Sequence, residues 1–248
     1  MIRTKYRAAT RLLIALSIFA VLLLIYPVRS GITRPVIVGT IATILFLLFI
    51  TTWKHRLLRI SLVIALLAAT TVVFLPGRAH DPNALRDAYI RSLLNYRNTR
   101  YVWGGENHFG IDCSGLIRAG MMDACFSEAC RSANPALLRE SLWLWWNDVA
   151  ARDMPAGYDG RFERIATIPS IRETDAATFQ PGDVAVTADG SHVIAYAGQG
   201  DWIEADPTVL RVIVLHPGNN SMWLGMPMTL LRWHALQAPR LTPLPPHP

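Results

Sequence analysis

Three uncharged apolar stretches occupy residues 12–28, 35–53 and 60–77, and no aspartate or glutamate occurs before residue 78. Their lengths of 17, 19 and 18 residues sit at the short end of the roughly 17 to 25 that span a bilayer as a helix. In hydrocarbon every backbone N–H and C=O must be paired, so an apolar spanning segment of this kind is a helix. Helices of a soluble core are the alternative, and the missing polar faces in all three argue against it. For the first stretch a cleavable signal peptide is a second alternative. Two further apolar stretches and the lack of an A-x-A-like site after it argue against cleavage. Arg11, Arg29, Lys54, Arg59 and Arg78 bound the stretches, with side chains able to reach lipid headgroups.

The charge distribution follows the same division. Residues 1–77 carry nine Lys or Arg and no acid, whereas residues 78–248 carry fifteen Arg, no Lys and eighteen acids. The overall charge of +6 and pI near 9.6 therefore come from the membrane flanks, and nucleic acid is excluded as a partner of the remainder. Arg3, Lys5, Arg7 and Arg11 precede the first stretch, and Lys54, Arg56 and Arg59 lie between the second and third. The first connection carries only Arg29 and Arg34. The positive-inside bias then sets the N-terminus in the cytoplasm. Three crossings put the rest of the chain outside, as in a multi-pass protein of the inner (cytoplasmic) membrane.

Reactive chemistry enters at YVWGGENHFGIDCSGL, residues 101–116, where one cysteine stands between a glycine-rich turn and a helical pattern. Leu116, Ile117, Ala119, Met121 and Met122 space out as a helix burying one face. A helix N-terminus favours the thiolate of Cys113 through its unpaired N–H groups and dipole. Asp112 and Ser114 flank the thiol with short polar side chains suited to capping or substrate contact. Unreactive buried cysteines are common, so a base is required before Cys113 means anything.

That base lies in PGDVAVTADGSHVIAYAGQGDWIEADP, residues 181–207. Val, Ile and Tyr runs broken by glycine turns predict antiparallel strands there. His192 opens one strand, and Gly198-Gln199-Gly200 reads as a three-residue hairpin turn. With that turn His192 faces Asp206 and lies diagonal to Glu204. Either carboxylate can orient the imidazole, and a one-residue slip changes the choice. Thiol, base and a third group fixing the base's tautomer are the parts of a nucleophilic hydrolase.

Taken together, YVWGG, DCSG, QPGD, SHVIAY and WIEADP, in this order, resemble the NlpC-type family of papain-like cell-wall cysteine peptidases over roughly residues 82 to 236. The resemblance implies an α+β papain-like fold, with an antiparallel sheet and the nucleophile at a helix N-terminus. It implies Cys113 as nucleophile, His192 as general base and Glu204 as the third residue, although His or Asn is commoner at that third position. Tyr101, Asp112, Ser114 and Ser191 fall on substrate-subsite positions, and the backbone near Cys113 on the oxyanion site. The implied substrate is the stem peptide of peptidoglycan, often cut after γ-D-glutamate. No cofactor is implied.

The chain departs from that pattern in length. Cys113 and His192 are 79 positions apart, and the excess lies in about 120–178, which includes ESLWLWWNDVAARDM. Trp143, Trp145 and Trp146 there read as a helix packed on the core, or as a lid or groove wall. Cys125 and Cys130 either pair as a disulfide in an oxidising compartment or remain free. A regular helix would hold them too far apart to bridge. His108 reads as a solvated loop residue, and His216 and His234 as structural. No histidine pair has helical ligand spacing, so no catalytic metal is expected.

The expected organisation is an anchor of three transmembrane helices in residues 1–77, a linker at 78–82, a peptidase domain at 83–236, and a disordered Pro-rich tail at 237–248. The rival readings are a lipid or other acyl hydrolase or transferase on the same fold, and a non-catalytic wall-binding membrane protein. Many lipid-acting relatives have the histidine before the cysteine, and this chain has the reverse order.

Overall fold

The computed structural model describes residues 2–29 and 31–237. The tail expected at 237–248 lies almost wholly outside the described residues. Three helices come first: α1 (Ile2–Ile25), α2 (Thr33–Thr51) and α3 (Arg56–Phe74). Among the described residues, α2 and α3 are long and apolar enough to cross a membrane, and the apolar part of α1, Ala9–Ile25, is shorter. The first expected span thus ends early. Pro27 to Arg29 leave the helix and pair with a loop of the following domain, through a bridge between Val28 and Gly105. α1 and α2 pack on each other.

The remaining elements are α4 (Pro82–Asn95), β1 (Glu106–Asn107), β2 (Gly110–Ile111), α5 (Cys113–Ser132), α6 (Pro135–Trp146), β3 (Phe162–Ile168), β4 (Val184–Thr187), β5 (Val193–Gly198), β6 (Asp201–Asp206), β7 (Arg211–Leu215) and β8 (Met228–Trp233). Strands β3 to β8 form one antiparallel sheet in the order β3-β8-β4-β5-β6-β7. Side chains alternate across a strand, and here both faces are covered, so β4 and β5 read as nearly continuous apolar runs. Val184, Val193, Ala195, Ile203 and Ala205 face α4, α5 and α6. Ala185, Ile194, Tyr196 and Trp202 face Phe179, Trp223 and Leu224 on the other side.

The β5–β6 hairpin corrects the expected turn. Its loop is the two-residue Gln199-Gly200, both at positive φ, with Gly198 opposite Asp201 and a bulge after Tyr196. The bulge adds back the residue that the shorter turn removes, so Ala195 still faces Ile203 and Tyr196 faces Trp202. Because register beyond the bulge is unchanged, His192, Glu204 and Asp206 fall on one face.

Helix α5 is the central rod, packed against α4, α6 and the sheet. It runs unbroken from Cys113 to Ser132, and Cys125 and Cys130 both sit on it as free thiols, the first buried and the second exposed. Five positions on a continuous helix turn these thiols to different faces, so the disulfide alternative is set aside. The α4–α5 crossing depends on Gly120, where a Cβ would stand 2.7 Å from Leu93 Cδ2 and 3.1 Å from Tyr89 Cε2. Leu93 and Tyr89 are fully buried and cannot retreat. Gly120→Val is expected to lower stability by about 2 kcal/mol, as overpacked cores do, measured by denaturant unfolding of the full chain in detergent.

Candidate active site

Cys113 is the first residue of α5, and Asp112 before it is the N-cap with extended backbone. Asp112 Oδ1 accepts from the Gly115 amide at 2.6 Å and from Ser114 Oγ at 3.0 Å. Its Oδ2 accepts from the Gly104 amide at 2.7 Å. Gly104 adopts φ +71°, a region that other side chains resist. At Gly115 any Cβ would run into the Gly105 carbonyl. One carboxylate thus ties the glycine turn to the start of the helix, and both its oxygens are committed to that task.

The cysteine is buried, and this alters its expected chemistry. Burial, and then the Asp112 carboxylate, push the Cys113 thiol up to about 12, while hydrogen bonding from the backbone of Ser114 and Val193 pulls the other way. The helix N-terminus therefore does not leave a resting thiolate, because loss of water outweighs the amides that face the sulfur.

His192 directly precedes Val193, whose backbone lies against the thiol, so the start of strand β5 runs past the start of α5. The imidazole is 1% exposed and its Nε2 lies 2.7 Å from Glu204 Oε2, on a side chain with no exposure at all. Of the two carboxylates left open by the hairpin pattern, the ring meets Glu204. Asp206 is engaged by the turn after β6, its Oδ1 accepting from Thr208 N at 2.5 Å and Thr208 Oγ1 at 2.6 Å. With Nε2 held by Glu204, Nδ1 is the nitrogen free to exchange a proton. Burial raises the Glu204 carboxyl above its ordinary range, opposed by the bond to His192.

Sequence reasoning missed Trp223, which stacks on the imidazole at 4.1 Å between ring centres and 26° between planes. It lies in a short 3-10 turn, Met222–Gly225, 31 positions beyond His192, and no local pattern links the two. Its ring covers the face of the histidine that would otherwise meet water.

A cleft of about 430 Å³ opens over the thiol, lined by Trp103, Cys113, Ser114, Arg118, Asp148 and Ser191 among others. Tyr101 is half-buried; burial, and next the neighbouring Cys113, Asp112 and Asp206, push its hydroxyl above the ordinary range, so it remains a donor. Ser191 is exposed at the rim and donates through N and Oγ to Asp189 Oδ1 at 3.0 and 2.8 Å. His108 is exposed as expected but stacks on Tyr96 at 4.1 Å. Trp143 lies against the core, with the Arg161 guanidinium 3.0 Å from its ring centre. The residues just after α6, Asp148 to Arg152, form one wall of the cleft. The Trp-rich segment thus divides the two roles between its helix and the turn that follows.

The cleft also holds charges that sequence reasoning left unused. Arg118 of α5, 2% exposed, pairs with Glu106 and, at 2.9 Å, with Asp148 Oδ1. An arginine inside the apolar face of a helix was the available signal, since a buried charge demands a partner. Among the described residues, no group of three or more His, Cys, Asp or Glu side chains is arranged to hold a metal ion.

The family model described as NlpC/P60 family matches residues 98–229. The chain belongs to the NlpC/P60 family. Members of this family are generally peptidoglycan hydrolases of the cysteine-peptidase type. Among solved structures, an NlpC/P60 family protein from Bacillus cereus is 16% identical at a TM-score of 0.40, over 64% of this chain and 41% of its own. NlpC1 from Trichomonas vaginalis is 17% identical at 0.39, over 60% and 43%. The peptidoglycan hydrolase RipB from Mycobacterium tuberculosis is 19% identical at 0.38, over 64% and 70%. This chain therefore spans less than half the length of the first two. Comparison with curated proteins returned no match.

The buried thiol makes a direct prediction. The thiolate is the species that alkylates, and a raised pKa leaves little of it at neutral pH. Iodoacetamide labelling of Cys113, followed by peptide mass spectrometry, is expected to keep rising with pH beyond 9, and exposed Cys130 to label faster throughout. A Cys113 rate already level at pH 7 would contradict the burial account.

Proposed function

We propose that this protein is a membrane-anchored cysteine peptidase that hydrolyses amide bonds in peptidoglycan stem peptides. The observation that carries the reading is the buried His192–Glu204 pair at 2.7 Å, set beside a thiol at a helix N-terminus. Glu204 holds Nε2, so Nδ1 takes the proton as Cys113 Sγ attacks the substrate carbonyl carbon. The tetrahedral oxyanion is met by backbone N–H groups at the start of α5, which point outward with no intrahelical partner. Protonated His192 then delivers its proton to the leaving amine, and an acyl-thioester remains. Water, deprotonated by the same nitrogen, attacks the thioester and releases the acid and the thiol. Tyr101, Ser114 and Ser191 contact the substrate peptide, and Asp112 keeps the helix start in place. The γ-D-glutamyl-diaminopimelate bond is the proposed target.

Three apolar helices are proposed as the anchor, with the N-terminus in the cytoplasm and the domain on the wall side. Two features support this. The basic residues flank α1 and the α2–α3 connection. The α1–α2 connection packs on the domain itself, so both occupy the same side of the membrane.

The test incubates the full chain, in detergent, with purified sacculi and identifies released fragments by mass spectrometry. Muropeptides cut within the stem support the proposal. Lipid turnover without muropeptides would favour an acyl hydrolase, and binding without products a scaffold. Cys113→Ala is expected to lower release by about 10³-fold or more without loss of fold. Glu204→Gln is expected to lower it by about 100-fold and Asp206→Asn by less; the reverse order would reassign the third role to Asp206.

A further inference from the structure

Between α1 and α2 the chain does not simply turn in space. Pro27 O accepts from the Glu106 amide at 3.1 Å, and the Arg29 amide donates to Gly104 O at 3.0 Å, on either side of the Val28–Gly105 bridge. The segment so held is the glycine turn that Asp112 ties to the start of α5, through Gly104 N at 2.7 Å and through the Asp112 amide to Gly105 O at 3.1 Å. Three hydrogen-bonded steps thus join the membrane helices to the nucleophile: strap 27–29, turn 104–106, cap Asp112.

Two side-chain contacts lock this strap. Asn107 Nδ2 donates to the last carbonyls of α1 and the residue after it, Leu24, Ile25 and Tyr26, at 3.3, 3.4 and 3.1 Å. Arg34, in the first turn of α2 and 2% exposed, places Nη2 2.7 Å from Glu106 Oε1 and Nη1 3.9 Å from Asp148 Oδ2. Glu106 is the same carboxylate that holds Arg118 in the cleft. Its burial pushes it above the ordinary carboxylate range, and the two arginines oppose that shift. The sequence pattern assigned Arg34 to the membrane flank. Instead it is consumed in the cleft wall, and Arg29, which donates to Leu23 O and Leu24 O, caps α1 in place of reaching headgroups.

We propose that Arg34 is a positioning residue for the peptidase reaction, supplied by the membrane anchor. Its ion pair with Glu106 clamps the strap to the glycine turn, and the clamped turn sets where Asp112 starts α5 and where Cys113 sits. The anchor is then part of the catalytic architecture, and a reaction centre displaced by about 1 Å loses up to about 100-fold in rate.

The test uses the full chain in detergent and reads two quantities: the alkylation rate of Cys113 by iodoacetamide at pH 9, mapped by mass spectrometry, and the kinetics of stem-peptide cleavage. Arg34→Gln is expected to slow alkylation about tenfold and to lower kcat at least as much, with KM changing less, while the cooperative melt persists. Asn107→Asp keeps the oxygen that accepts from Phe109 N at 2.9 Å and loses the donor to α1, so it is expected to slow alkylation about threefold. Arg59→Gln, at the opposite end of the anchor, is expected to change neither. The proposal is overturned if Arg34→Gln folds and stays within about twofold of wild type, or if Arg59→Gln slows the thiol as much as Arg34→Gln. Should Arg34→Gln fail to fold, Asn107→Asp alone decides. The cleavage readout rests on the peptidase reading, but alkylation does not. Slowed alkylation in a protein that cleaves no stem peptide overturns that reading and keeps the positioning role.

Discussion

The Asp112 carboxylate is the contact on which the site depends. It accepts from the amides of Gly104 and Gly115 and from the Ser114 hydroxyl, so one side chain defines where the turn ends and α5 begins. A helix end leaves its first N–H groups unpaired. Asp112 satisfies one of them, at Gly115, and the backbone of Ser114 lies against the Cys113 thiol. The two close backbone approaches here, at Gly105 and Gly115, leave no room for a side chain. Cap, glycines and thiol are one unit, and any displacement of the turn is passed to the nucleophile.

Burial sets the electrostatics of the rest. Cys113, His192 and Glu204 are all shielded from water, so the thiol is held protonated and the His192–Glu204 bond is strengthened in a poorly screened setting. Trp223 closes over the imidazole.

The charges around the cleft bind it to the N-terminal helices. Arg118 and Arg34 share Glu106, one from the central helix α5 and one from α2. Removing one partner of a buried pair leaves an uncompensated charge, which is why such clusters hold a single geometry. The short, backbone-paired α1–α2 connection fits that role better than a free linker would.

Much of the site was legible along the chain, because its chemistry is carried by residues whose local surroundings are also local in sequence. Cys113 with its glycine turn, the Asp112 cap, the hairpin that His192 precedes and Glu204 lies on, and the acid-free apolar N-terminal segment all follow from short-range pattern. Even the hairpin register came out correctly, although its turn is one residue shorter and a bulge restores the count. What the sequence determined by itself was therefore the family and the setting of Cys113 between a glycine turn and a helix. The tertiary structure alone decided which carboxylate meets His192, that Trp223 stacks on it, that burial opposes the helix end at the thiol, and that Arg34 pairs with Glu106. Each of these depends on contacts between segments far apart in the chain, or on the loss of water when they close, and neither leaves a periodic trace in sequence.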